Sequence, residues 1–344
     1  MCDASIYFAS KSGDPAKNAK TMATMWVITG GTGFIGSALL WKLNQEGISD
    51  LLVVDLQKNP EERKNLRGKR FKDYMEAYRF KDELLAGRLP KIDGIVHLGA
   101  CSSTTETDAA FLNKNNYEYT KSLAEWALGK KARFVYASSA ATYGDGGFGY
   151  TTDATTTEKL KPLNLYGESK HRFDLWAQHA GVLKDIVGIK YFNVYGPNEY
   201  HKGDMRSMVA KAYDQIGKDG EIRLFKSDRP DYRDGEQVRD FLYVKDAVDV
   251  TYEFMHGKGY GGLYNVGSGR ARSWNDLAKA VFAAMGKPVR IEYVPMPEAI
   301  RSKYQYHTQA DMSWMGKKTD SFMSLEAAVS DYVKNYLSKE DPYL

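Results

Sequence analysis

Tyr166 and Lys170 stand four residues apart in Tyr166-Gly-Glu-Ser-Lys170, which places a phenol and an ammonium on one face of a helix. A neighbouring ammonium favours phenolate and draws the phenol pKa down toward neutrality, so this tyrosine could take the proton of an alcohol. Alone, such a pair is also what a solvated helix surface carries. Two further features change that reading. Upstream, Val27-Ile-Thr-Gly-Gly-Thr-Gly-Phe-Ile-Gly36 reads as a strand, a glycine-rich turn and the start of a helix. Gly30 and Gly31 permit the turn, Gly33 lets backbone approach a pyrophosphate, and Gly36 lets the helix pack on the sheet. The phosphates would sit on the free N–H groups beside Phe34 and Ile35. Asp55, followed by Leu56, ends a second strand where an acid meets the adenine ribose hydroxyl. Downstream, a strand ends in Tyr136-Ala-Ser-Ser-Ala-Ala-Thr-Tyr-Gly144. Ser139 there can hydrogen-bond a substrate hydroxyl, whereas Ser138 reads as a strand-end hydroxyl bonded to backbone. With a dinucleotide bound, the Lys170 ammonium can also hold the ribose next to nicotinamide.

These side chains need strands and helices in alternation to bring them together. Strand patterns occur at Trp26 to Thr29, Leu51 to Asp55, Gly94 to Leu98, Arg133 to Ala137 and Ile186 to Phe192. Helical patterns lie between them, at Ser37 to Glu46, Asn116 to Leu128 and Tyr166 to Ala180. The alternation predicts an α/β, Rossmann-like doubly wound parallel sheet. The stretch from Gln57 to Arg70 is too polar for core. Beyond Phe192 the alternation weakens and loops rich in Gly, Asp, Arg and Lys intervene, which predicts a smaller, interleaved α/β lobe for the substrate. The expected division is residues 25–191 with about 241–266 for the dinucleotide, and 192–240 with about 267–344 for the substrate.

Composition narrows the class. The 344 residues are 43% hydrophobic and 27% charged, with a net charge of +4, values of an ordinary soluble globular chain. The charge is mild and dispersed, so neither nucleic acid nor a membrane surface is called for. Cys2 and Cys101 form no C-x-x-C pattern, which excludes a disulfide scaffold and fits a reducing cytoplasm. Met1 to Thr24 is small, polar and without an apolar run, the pattern of a disordered tail rather than a secretory signal.

Six segments together resemble the extended short-chain dehydrogenase/reductase family of nucleotide-sugar enzymes, over nearly the whole chain from Met25. They are Thr29-Gly-Gly-Thr-Gly-Phe-Ile-Gly36, His97-Leu-Gly-Ala100, Ala137-Ser-Ser-Ala140, Tyr166-Gly-Glu-Ser-Lys170, Tyr191-Phe-Asn-Val-Tyr-Gly-Pro197 and Arg239-Asp-Phe-Leu-Tyr-Val244. Family dehydratases carry an Asp-Glu pair just after the strand-end hydroxyl, where this chain has Ala140, Ala141 and Thr142. Oxidation to an acid would want a nucleophilic cysteine, and Cys101 reads as a small packing residue. The resemblance therefore implies epimerisation by transient oxidation. Ala100-Cys-Ser-Ser-Thr-Thr-Glu106, Tyr195-Gly-Pro-Asn-Glu-Tyr-His-Lys-Gly203 and His307-Thr-Gln-Ala-Asp311 look like the branch acting at C6 of an ADP-heptose for lipopolysaccharide inner core. A UDP-hexose 4-epimerase or reductase, and a non-catalytic dinucleotide sensor, are the competing readings.

The resemblance also assigns roles. Ser139, Tyr166 and Lys170 would be catalytic, with Lys202 a second acid/base on the far side of the reacting carbon. Read without it, Lys202 is a solvated loop lysine or a phosphate contact. His201 would shape that loop, and no metal is implied. Leu98, Gly99, Ala100, Cys101, Ser102, Asn115 and Val194 would border the cofactor. Asn193, Phe225, Lys226, Ser227, Asp228 and Tyr304 would line the substrate pocket, and Arg239 would grip the diphosphate. Asp204 and Lys211 are assigned to the same pocket, where they depart from the family's Ser and His. The implied cofactor is NADP, although Asp55 alone favours NAD and Glu62 and Ala77 stand where the family has lysines. A homo-oligomer, in the form of a pentamer, is implied.

Overall fold

The structure, a computed structural model, describes residues 25–56, 60–301 and 304–344. The expected tail Met1 to Thr24 and the start of the polar stretch at Gln57 lie outside them. Twelve strands occur among the described residues. The first six are β1 (Met25–Thr29), β2 (Leu51–Asp55), β3 (Asp73–Glu76), β4 (Ile92–His97), β5 (Arg133–Ser139) and β6 (Val187–Tyr191). The rest are β7 (Asn193–Tyr195), β8 (Ile222–Phe225), β9 (Val238–Tyr243), β10 (Gly262–Val266), β11 (Ala271–Ser273) and β12 (Ile291–Val294). Of the helices, eight have eight residues or more: α1 (Phe34–Gln45), α2 (Ala77–Leu85), α3 (Tyr119–Lys130), α4 (Leu165–His179), α5 (Met208–Asp219), α6 (Val244–His256), α7 (Trp274–Met285) and α8 (Leu325–Tyr332).

Seven strands form one parallel sheet in the order β10-β6-β5-β4-β1-β2-β3. All five residues of β1 are buried, as expected of a central strand covered on both faces. Alternate side chains serve the two faces. Trp26 and Ile28 pack with α1 and α6 residues such as Leu39, Leu40, Val244 and Val248. Val27 packs with Phe80, Leu123 and Phe173 of α2, α3 and α4. The strand order reverses between β1 and β4, so a crevice opens at the carboxyl ends of these two strands. That is the Rossmann-like doubly wound arrangement expected.

The expected strand through Phe192 is in fact two. Phe192 donates its N–H to Val266 at 3.0 Å as β6 ends, and β7 turns away to pair with β9, itself paired with β11. β8 and β12 form a separate parallel pair. β3 had no counterpart in the sequence reading because it is polar and half-exposed. Helix α1 begins directly after Gly33, three residues before the expected start. Helix α3 is preceded by a single wide turn, Asn113–Glu118. No helix among the described residues is long and apolar enough to cross a membrane.

Candidate active site

The glycine turn is built for close approach. Gly30 adopts φ +69°, and a Cβ there would lie 2.5 Å from the Gly99 nitrogen. A Cβ on Gly36 would lie 2.0 Å from the Gly30 oxygen. Gly31 serves packing instead, since its φ is not positive and a Cβ would meet Val53 at 2.8 Å. Gly33 caps α1 with no side-chain bond, and no acid stands in the first turn, so the first N–H groups of α1 stay available to an anion. A cavity of about 290 Å³ runs past Gly30, Gly33, Phe34, Ile35 and Gly36, then Leu98, Gly99, Ala100 and Ser102, to Ser139, Tyr166, Lys170, Val194 and Lys202. A second one of about 260 Å³ adjoins it through Gly30, Asp55, Glu62 and Gly99 and adds Leu56, Cys101 and Asn115. Every residue expected to hold the dinucleotide thus lines one continuous crevice. The cradle, free helix N-terminus and ribose-side acid fit such a cofactor.

Asp55 is already engaged. One carboxylate oxygen accepts from the Thr32 N–H at 2.9 Å and from its hydroxyl at 2.5 Å, and the other accepts from Leu56 N–H at 2.8 Å. Glu62 faces the same space, and burial, then the Asp55 charge, push its carboxyl up to about 7. Cys101 is half-exposed and lines the crevice rather than filling core. The buried Asn116 side chain holds its backbone from both sides, at 2.9 Å each.

On the helix that carries Tyr166 and Lys170, Asn164 caps α4 by accepting from Gly167 N–H at 2.8 Å. The Lys170 ammonium donates to the Ala137 carbonyl at 2.8 Å, and burial lowers its pKa to about 8 although Asp174 opposes the change. Tyr166 departs from expectation: burial raises its phenol above 10, and the Ser139 hydroxyl opposes the rise. Desolvation penalises the phenolate more than spacing on the helix can offset. Ser139 also accepts from Ala141 N–H at 3.1 Å. Ser138 does not bond backbone as expected; its hydroxyl donates to Asp174 at 2.7 Å.

Lys202 sits on the turn Tyr200–Met205, with its ammonium 5.2 Å from the centre of the Phe34 ring. Burial lowers its pKa and Glu199 raises it. The turn is pinned to the glycine loop by Asn65, whose amide donates to the Thr32 carbonyl (2.8 Å) and the Asn198 carbonyl (3.1 Å) and meets His201 Nδ1 at 3.2 Å. Asn65 is buried, an exception to the expectation that its polar stretch stays out of the core. Burial, then the Lys202 charge, hold His201 down at about 4; it is neutral and a loop-shaping neighbour. No cluster of three metal-ligating side chains occurs among the described residues.

A larger cavity of about 730 Å³ meets the dinucleotide crevice at Phe192, Val194 and Lys202. Asn193, Lys211, Phe225 and Tyr304 line it as expected, together with Trp274 and Val294. Asp204, Lys226, Ser227 and Asp228 do not. Asp204, Lys226 and Asp228 are exposed, Asp228 pairs with Arg301 at 2.8 Å, and the Ser227 N–H is given to Asp234. Arg239 lies behind the lining, buried, with its guanidinium 5.1 Å from the Tyr304 ring and 5.5 Å from Trp274. It makes no ion pair among the described residues, and the Asp240 carboxylate is taken by N–H groups of Ser268, Gly269 and Ala310. Asn65, Asn116 and Glu199 had escaped the sequence reading. Each is polar, and each acts through at least one partner distant in the chain: Asn65 through Thr32, Asn116 through Ser169 and Glu199 through Tyr332.

Comparison with known proteins agrees with this geometry. The ADP-L-glycero-D-manno-heptose-6-epimerase of Nitratidesulfovibrio vulgaris strain Hildenborough is 53% identical over 326 residues, covering 93% of this chain and all of that protein. That of Fusobacterium nucleatum is 45% identical over 332 residues, with the same coverage. The crystal structure of the Helicobacter pylori enzyme of that name superposes with a TM-score of 0.71 at 28% identity, covering 91% of this chain and 96% of the other. Residues 26–267, which carry the whole crevice, match the NAD dependent epimerase/dehydratase family, and the chain belongs to it.

Proposed function

We propose that the chain inverts C6 of ADP-D-glycero-D-manno-heptose by transient oxidation to a 6-keto sugar, a step of lipopolysaccharide inner-core synthesis. The observation that carries this reading is the meeting of two cavities at Lys202 and Val194, with Ser139, Tyr166 and Lys170 in the same crevice. The names of full-length relatives select the sugar. Residues 192–240 and 267–344 form the substrate lobe in this reading.

Held by the glycine loop and Lys170, a bound nicotinamide would supply the reversible hydride chemistry at C6. The protein supplies the proton chemistry. A secondary alcohol presents its O–H on different sides in the two epimers, so one fixed base cannot serve both. Tyr166 serves one epimer, with the Ser139 hydroxyl orienting the reacting oxygen. Lys202 serves the other. Burial keeps Tyr166 protonated at rest, which makes it the natural donor to the alkoxide as the ketone is reduced. Arg239 meets the diphosphate as a planar cation with no carboxylate of its own.

For the choice of dinucleotide, we assign NAD as the preferred form against the NADP implied by resemblance. Asp55 and Glu62 both line the smaller cavity, at the ribose end, and no Lys or Arg lines that cavity among the described residues. A 2′-phosphate would meet two carboxylates there.

The test is NMR of the purified protein with either heptose epimer in deuterated water. Interconversion without deuterium at C6 is expected, because hydride returns internally. Tyr166→Phe should lower kcat at least a hundredfold and leave nucleotide-sugar binding intact. Absence of interconversion, or deuterium at C6, would overturn the reading.

A further inference from the structure

The turn that carries Lys202 rests on a carboxylate with no cation bonded to it. Glu199 is fully buried. One oxygen accepts from Gly196 N–H at 3.3 Å, the Ser207 hydroxyl at 2.6 Å and the Tyr332 hydroxyl at 3.1 Å. The other accepts from Ser207 N–H. These donors come from three places: the residue after β7, the cap of α5, and α8. The two ends of the loop, Gly196 and Ser207, are therefore tied to one side chain and through it to the C-terminal helix. The Glu199 carbonyl also accepts the Lys202 N–H at 3.1 Å, so the turn starts from the same residue.

Four neutral donors stabilise a carboxylate as an anion, and a buried anion calls for a nearby positive charge. Glu199 makes no ion pair among the described residues, but its charge acts on Lys202. We propose that Glu199 is a positioning residue for Lys202, holding its turn against the α5 cap and the C-terminal helix and supplying the counter-charge of its ammonium. This rests on the acid/base reading of Lys202 given above.

The consequence is chemical. Lys202 must release a proton with one epimer and give one back with the other, so its two forms must be close in free energy. Burial alone favours the neutral amine. Other groups around it do not replace Glu199: His201 is neutral, and Tyr166 and Lys170 across the crevice carry no negative charge at neutral pH. Asp55 is bonded to Thr32, and Glu62 lies beyond His201 at 3.5 Å from that ring. Tyr200 and Tyr332 flank Glu199 as phenols.

Glu199→Gln keeps the shape and removes the charge. In the folded variant, kcat should fall at least tenfold at neutral pH, with dinucleotide affinity within twofold of wild type. The pH at which Lys202 becomes reactive toward acetic anhydride, followed by mass spectrometry, should drop by about a unit. Unchanged labelling overturns the proposal, and so does a loss of kcat without that shift. Lys202→Met in parallel separates the two readings. If it retains turnover, the acid/base role of Lys202 fails while the labelling still judges Glu199. Should Glu199→Gln not fold, Lys202→Met answers through stability. With the ammonium gone, its urea midpoint at pH 8 should fall below wild type, because the buried Glu199 carboxylate is left without its counter-charge. A variant as stable as wild type overturns the proposal.

Discussion

Lys190 Nζ lies 3.1 Å from Asp174 Oδ2, and both side chains are fully buried behind the strand that ends in Ser139. Asp174 on α4 also accepts from Tyr136 at 2.9 Å and Ser138 at 2.7 Å on β5. Lys190 on β6 donates to Thr142 at 2.7 Å and lies 4.8 Å from the Tyr143 ring. One ion pair thus ties β5, the turn that follows it and α4 together. Lys190→Met leaves Asp174 as an uncompensated buried charge and should cost about 3–5 kcal/mol in urea unfolding. Adding Asp174→Leu should return much of that loss. A single substitution costing under about 1 kcal/mol would show that the pair does not act as described.

His97 predicts a pH dependence. Thr120 gives its proton to the Asn116 carbonyl and so accepts from His97 Nε2–H, at 2.8 Å. Thr29 accepts from Gly99 N–H and donates to Nδ1, at 2.6 Å. Protonating Nδ1 would break that bond, and burial, then the Lys170 charge, depress the pKa to about 3. Between the ordinary value near 6.5 and this one, the unfolded chain binds a proton that the native protein does not. Stability is therefore lost as pH falls through that window, by ~1.4 kcal/mol per unit. His97→Gln should remove this slope between pH 6 and pH 4 in urea titrations. A slope equal to that of wild type would refute the account.

Arg239 carries opposite expectations for binding and stability. Arg239→Met should weaken ADP binding by roughly 30- to 100-fold, the worth of one or two charge-assisted bonds to a diphosphate. The ligand-free protein should become no less stable, because an unpaired buried cation is removed. Calorimetric titration with ADP and thermal unfolding check the two halves. Unchanged ADP affinity would remove Arg239 from the site.

At the ribose end, wild type should bind NAD more tightly than NADP by roughly tenfold at pH 8, on the order of 1 kcal/mol for each close like-charge contact. The preference should narrow as pH falls through about 7, where Glu62 gains a proton. Glu62→Lys should close or invert it. Fluorescence titration with both dinucleotides decides, and tighter binding of NADP by wild type would sink the assignment.

How much of this could be read from the chain depended on the range of each interaction. The Gly30 turn, the Tyr166 and Lys170 face and the Ser139 strand end are written in neighbouring residues, and all of them reach one crevice. The state of the Tyr166 phenol was misjudged, because spacing reveals a nearby lysine but not the desolvation around the hydroxyl. Lys226, Ser227 and Asp228 follow β8 closely, yet the chain turns them outward after Phe225. Glu199 and Asn116 look like ordinary surface residues until Tyr332 and Cys101 fold against them. Strand β3 is half-exposed at the sheet edge and lacks the apolar run by which β1 and β2 declare themselves.

The Asn65 amide joins the glycine loop to the turn of Lys202 across a buried contact, leaving its own oxygen without a hydrogen-bond partner among the described residues. The two hydrogens of that amide serve both segments, so a hinge at that point would have to break at least one of these buried bonds. Lys202 is thus mounted on the frame of the glycine loop, while Met205 and Arg206, at the end of the same turn, line the larger cavity. In the proposed reaction the exchange of faces then falls to the ligand: anchored by its nucleotide, the ketone would swing about its own side-chain bond between Tyr166 and Lys202.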